Sequence, residues 1–141
     1  MMEAKDIIKE AVRLGACAAS DGVTDWKSLC WLFFTPQGRE FCEDNNFPTI
    51  RMFRAVKYSV MTHGVFVDAG DLTSKNRKDI GLIGKTEATL IYDDNTKVHK
   101  IILMHGAKAY IKASNYVVLL IVNVGNCEVI IDKDETVSVL S

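Results

Sequence analysis

Gly81-Leu82-Ile83-Gly84-Lys85-Thr86 ends in the Gly-Lys-Thr triplet that closes a phosphate-binding loop. In such a loop, backbone N–H groups and the lysine cradle a nucleotide's phosphates. The motif requires glycine five residues before Gly84, and Asp79 stands there, an acid that repels phosphate. It must also open a helix whose N-terminus faces the ligand, whereas Glu87 to Tyr92 reads as a strand. A turn between two strands is the expectation, with no nucleotide held there.

His63, His99 and His105 are the only histidines. No His-x-x-x-His helix, Cys-x-x-Cys pair or two-His-plus-carboxylate spacing accompanies them, so no zinc site is expected. His99 and His105 flank a strand and share a face by parity, yet lie too far apart along it to hold one metal unaided. Coil edges or solvent are their expected places. The paired carboxylates Asp93-Asp94 and Asp132/Asp134 fall on turns, where acids are commonplace. A serine, threonine or cysteine nucleophile needs a base and an orienting acid beside it, and no local signature supplies them. No catalytic residue, cofactor or metal ligand is assigned, and the chain reads as non-enzymatic.

A binding surface is a different matter. Pro36 to Asp44, the break at Asn45 to Pro48 and the stretch Thr49 to Thr62 have the outline of a helix-turn-helix. Arg51, Arg54 and Lys57 then follow at three-residue spacing on the second helix, where phosphate or base contacts would sit. Against this stand eight basic and eight acidic side chains in residues 1–63, and a whole-chain net charge of −1. Such a balance does not hold nucleic acid or anionic membranes by bulk charge. DNA binding is therefore the alternative reading, and a solvated helix face the leading one.

These candidates hang on two kinds of element. Apolar residues make up 48% and charged residues 25% of 141, which suits one ordinary globular domain or two small halves. In the first half, Ile7, Ala11, Leu14 and Ala18 mark a helix over Asp6 to Ala19. A second is expected over Asp25 to Phe34 after the Thr24 cap, and a third from Pro36 to Asp44. A fourth, Thr49 to Thr62, carries Ile50, Phe53, Val56 and Val60 and stops near Gly64. Residues 1–63 read as a helical module, 64–79 as a linker or connector rich in Gly, Thr, Ser and charge, in which Val65-Phe66-Val67 reads as a short strand or an extended connector, and 80–141 as a repeat domain.

The repeat has a period of twenty. Ala88-Thr89-Leu90-Ile91-Tyr92, Lys108-Ala109-Tyr110-Ile111-Lys112 and Glu128-Val129-Ile130-Ile131-Asp132 align, placing Ile91, Ile111 and Ile131 in one column. Val98 matches Val118, Ile101 matches Ile121, and Asp94 and Thr96 match Asp134 and Thr136 two periods on. Two strands per period suggest an α+β protein: an N-terminal helical module followed by a short β-solenoid whose coils stack. In such a stack Lys108 lies beside Glu128 and Lys112 beside Asp132, opposite charges that cross-strand pairing favours. An antiparallel β-meander with hairpins of equal length is the alternative.

Thr35-Pro36-Gln37-Gly38-Arg39-Glu40-Phe41-Cys42, Asn45-Asn46-Phe47-Pro48 and Ile102-Leu103-Met104-His105-Gly106-Ala107 together resemble a poorly characterised family of small proteins from gut anaerobic bacteria and their prophages. The resemblance runs along most of the chain and carries no catalytic motif. It implies a phage or mobile-element association.

Parity makes a further point. Tyr116 to Val122 does not alternate: with odd positions inward, Val118, Leu120 and Val122 face out, continued by Ile102 one coil earlier. An apolar outer face belongs to a sheet covered on both sides. With Val139-Leu140-Ser141 directly on the last strand and no polar cap after it, a homo-oligomer is expected, with Val118, Leu120, Val122 and Ile102 at its interface. A second protein is the other candidate partner. The N-terminus shows no secretory signal, no apolar run reaches the length of a membrane helix, and Cys17, Cys30, Cys42 and Cys127 sit in apolar contexts. The expected place is the cytoplasm, or a virion if the protein is phage-encoded, with the thiols buried and reduced.

Overall fold

The computed structural model describes residues 6, 9, 40, 43–45, 47–125 and 127–140. The chain divides into two compact units, Met1–Val65 and Phe66–Ser141. The helices expected over Asp6 to Ala19, Asp25 to Phe34 and Pro36 to Asp44 lie largely outside the described residues. Of the described residues in the first unit, 6, 9, 40 and 43–45 are helical, and two short helices follow, α1 (Ile50–Ala55) and α2 (Lys57–Met61). Thr49 caps α1: its Oγ1 accepts a hydrogen bond from the Met52 amide at 3.2 Å. The single helix expected from Thr49 to Thr62 is interrupted at Val56, whose φ of −118° and ψ of 16° leave the helical region. Phe53, Val56 and Val60 are all buried, so the apolar stripe stays inward across the break.

The second unit is built from strands. Their order is β1 (Val65–Val67), β2 (Gly70–Lys75), β3 (Asp79–Ile83), β4 (Thr86–Tyr92), β5 (Val98–Met104), β6 (Lys108–Ala113), β7 (Val118–Asn123), β8 (Glu128–Lys133) and β9 (Ser138–Leu140). Odd strands form one sheet, β1-β3-β5-β7-β9, and even strands the other, β2-β4-β6-β8. The pairs from β2/β4 to β7/β9 are parallel, which excludes the meander and establishes a β-solenoid of about four coils.

Within residues 64–79, Val65–Val67 is the short strand, one of its two expected forms, while the stretch expected as a linker instead supplies β2 of the first coil. Glycine and short polar residues suggested a loop there, but backbone pairing carries the strand: Gly70 through Lys75 register with Thr86 through Ile91. Composition failed because β2 is an edge strand with its alternate side chains in water, where Asp71, Thr73 and Lys75 are at home.

The interior between the two sheets is dry and apolar. Ile80, Leu82, Leu90, Ile101, Leu103, Ile111, Val117 and Leu119 are completely enclosed, with Ala88, Ala109 and Ala113 filling the narrower places. Odd positions of β5 and β7 point inward, so Val118, Leu120, Val122 and Ile102 lie on the opposite face of their sheet. The sharp corners use left-handed backbone, with φ of 67° at Gly84 and 85° at Gly106.

The period is twenty from β5 and β6 onward but twenty-one in the preceding coil. Val98 pairs with Val118 and Lys108 with Glu128, whereas Asp79 pairs with Lys100 and Glu87 with Lys108. Ile111 therefore sits between Leu90 and Ile131, and Ile91 lies on the outer face beside Lys112. The expected isoleucine column holds for two members and is corrected at the third, because one added residue reverses a strand's facing.

Candidate functional site

The side chains with chemical capacity gather at the corners. Between β4 and β5, Asp94 Oδ1 accepts hydrogen bonds from the Thr96 amide at 2.9 Å and from Thr96 Oγ1 at 2.6 Å. Asp134 and Thr136 repeat this between β8 and β9. These bonds, the Thr96 and Thr136 hydroxyls first, hold both carboxyls below the usual carboxylate range. The acids matched across two periods are thus turn locks, as their position on turns implied.

His99 is the departure from expectation. It is fully buried, not at a coil edge or in solvent. Nδ1 lies 3.1 Å from the Arg77 carbonyl oxygen and Nε2 2.9 Å from that of Asp94, so one ring ties two successive corners together. Carbonyls only accept, so both bonds form only when both nitrogens carry hydrogen; a neutral ring donates from one. Tyr92 packs on the ring with centroids 4.6 Å apart. Its hydroxyl is buried without a hydrogen-bond partner, and burial pushes the phenol far above its ordinary range against the opposing charge of Arg77. The signal for His99 was available: it shares inward parity with Ile101 and Leu103.

Elsewhere the chemistry is quieter. Gly84-Lys85 forms the turn between β3 and β4, and no helix follows. Thr86 is buried as a corner bracket, accepting from the Ala69 amide at 3.1 Å and donating to the Ile83 carbonyl at 2.9 Å. Cys127 is a free, buried thiol, raised by desolvation; the other three cysteines lie outside the described residues. Among the described residues no group of three or more His, Cys, Asp or Glu side chains could hold a metal, and no helix is long and apolar enough to cross a membrane.

The surface residues separate into three sets. Of those expected at an oligomer interface, Ile102 and Val122 are buried and Val118 and Leu120 are half-buried. Leu120 stands in register with Leu140, which is 52% exposed. Of those expected to meet DNA, Arg51 and Arg54 are exposed on α1. Lys57 falls beyond the break on α2, with its ammonium 5.8 Å from the Tyr58 ring centroid. The three basic side chains do not share one continuous helix.

The third set was not anticipated as a surface. On the outer face of the even-numbered sheet, Asp71, Glu87, Lys108 and Glu128 stand side by side across four strands. Thr73, Thr89, Tyr110 and Ile130 form the next row, and a shallow groove runs between the two. Lys108 Nζ lies 3.7 Å from Glu128 and 3.8 Å from Glu87, so the first expected charge pair is present, while Lys112 and Asp132 stand in register without forming an ion pair.

These features define a parallel two-sheet β-solenoid whose polar side chains chiefly fasten its corners. No protein-family model, curated protein or solved structure matches the chain.

Proposed function

We propose that the chain is a non-enzymatic structural or interaction protein that self-associates through its β-solenoid. One observation carries the reading: among the described residues, His99, Asp94 and Asp134 are engaged in architecture. Both ring nitrogens of His99 face backbone carbonyls within the solenoid, and Asp94 and Asp134 hold threonines. The outer faces of the sheets, by contrast, leave large apolar side chains in water: Leu140 on one, Tyr110 and Ile130 on the other. We put the contact between copies on Val118 and Leu120, the part of the expected interface that keeps exposed surface, and add Leu140, which stands in register with Leu120. The resemblance to small phage-associated proteins suits an assembly role. The DNA-binding alternative loses support from the break at Val56, which separates Lys57 from Arg51 and Arg54.

Light scattering of the chain at high concentration tests self-association. The expected mass is a multiple of 15.7 kDa, lowered by Leu120→Asp and by Leu140→Asp. The second variant matters most, because Leu140 is exposed and its replacement leaves the interior untouched. A monodisperse 15.7 kDa species at all concentrations overturns the proposal.

A further inference from the structure

We infer that the groove on the outer face of the even-numbered sheet docks an extended, cationic segment of a partner protein, lysine- or arginine-bearing and interleaved with aliphatic side chains. The inference rests on the interaction-protein reading and names the partner's chemistry. One wall of the groove is a row of Asp71, Glu87, Lys108 and Glu128, three carboxylates against one ammonium. Lys108 is shared between Glu87 and Glu128 at 3.8 and 3.7 Å, so a single cation serves two acids. All four side chains are exposed, which leaves the carboxylates open to cations from outside.

The opposite wall changes character along its length. Thr73 and Thr89 give way to Tyr110 and Ile130, 39% and 52% exposed, next to one another in register. An exposed tyrosine beside an exposed isoleucine offers apolar area at low conformational cost. Strands about 4.8 Å apart give the four-strand row a length of roughly 14 Å, the span of four or five extended residues. A segment lying along the groove places ammonium or guanidinium groups on the acidic wall and aliphatic groups on Tyr110 and Ile130. A polyanion meets net negative charge at this wall, three carboxylates against one ammonium, with Lys75 and Lys112 two rows away on the same face. A neutral saccharide can donate hydroxyl hydrogen bonds to the carboxylates but leaves their charge uncompensated.

Fluorescence anisotropy with the full chain tests this. The probe is a labelled decapeptide of alternating lysine and leucine; its glutamate–leucine counterpart is the charge control. Saturable binding of the lysine peptide alone is expected, weakening as salt is raised. Glu87→Gln with Glu128→Gln should weaken it about tenfold, and Tyr110→Ala with Ile130→Ser by a similar factor. Glu43→Gln with Glu135→Gln removes the same charge from exposed sites outside the groove and should change affinity by no more than about twofold. Circular dichroism confirms that the variants fold. Absence of saturable binding, equal binding of both peptides, or equal loss in the distal control overturns the assignment. Light scattering reads self-association independently, so failure of one proposal is distinguishable from failure of the other.

Discussion

Truncating Ile111 to alanine separates the observed register from a uniform twenty-residue one. Ile111 is completely enclosed, with Leu90 on one side and Ile131 on the other. The change removes three carbons, worth roughly 2.4 kcal/mol at about 0.8 kcal/mol each. A residual cavity adds to this, since hydrogen-bonded strands on both sides cannot close on it, and the expected loss is about 3–4 kcal/mol. Leu90→Ala should cost about 3 kcal/mol for the same reason. Ile91→Ala, on the outer face and half-exposed, should cost about 1 kcal/mol or less. Urea unfolding followed by far-ultraviolet circular dichroism is the assay. With a slope near 2 kcal/mol per molar urea, a loss of about 3 kcal/mol moves the midpoint by about 1.5 M. A double-mutant cycle should show coupling of at least about 0.5 kcal/mol between Leu90 and Ile111, and less between Ile91 and Ile111. If Ile91→Ala proves as costly as Ile111→Ala while Leu90→Ala is nearly neutral, the register is refuted.

Two further outcomes follow from the corners. His99→Leu keeps apolar volume but strands the Arg77 and Asp94 carbonyls, and should cost about 2–4 kcal/mol in the same urea assay; a loss below about 1 kcal/mol would show that the ring does not join the two corners. Asp94 and Asp134 are lowered in the folded chain, so their contribution is complete above the ordinary carboxylate value and is lost as pH falls through the lowered one. Acid titration followed by circular dichroism should therefore show an unfolding limb below about pH 4 that Asp94→Ala with Asp134→Ala makes shallower; an unchanged limb would mean that these turns do not couple protonation to folding.

The solenoid was legible because three kinds of signal agreed. Spacing aligned Val98 with Val118, the Asp-x-Thr corners repeated, and Lys108 faced Glu128, a match that hydrophobicity alone could not have produced. The first coil was legible only in part: Val65-Phe66-Val67 offers a short strand, but the strand after it does not show. Its strand β2 leaves alternate side chains in water, and backbone pairing with β4 has no signature in composition. Residue type alone puts His99 at a coil edge, whereas its odd position in β5 turns it inward. An imidazole can enter a core wherever two acceptors meet it, and turns supply carbonyls that no sequence motif advertises. The groove went unread for a related reason: its two walls are rows across strands, assembled from residues about twenty positions apart. Each residue looked like an ordinary solvent-facing member of its own strand.

The twenty-one-residue coil shows how such a repeat absorbs change. The corner between β4 and β5 spans residues 93–97, one more than the corners at 114–117 and 134–137. Asp94 and Thr96 keep the geometry of Asp134 and Thr136, so the added residue is accommodated at Asp93, ahead of the shared turn. Asn76, from the corner one coil earlier, takes it up. Its Oδ1 accepts from the Asp93 and Asp94 amides at 2.8 and 3.1 Å, and its Nδ2 donates to the Asp93 carboxylate at 2.6 Å. Asn76 can do this because it adopts a left-handed φ of 55°, a conformation asparagine tolerates better than most residues. Inserted within a strand, the same residue would have turned every following interior side chain to the surface. At the corner it shifts only the numbering, and Leu90 takes the place that Ile91 would have filled. The interior thus selects side chains by facing and the corners settle the count, so the period of a solenoid belongs to its coils one by one.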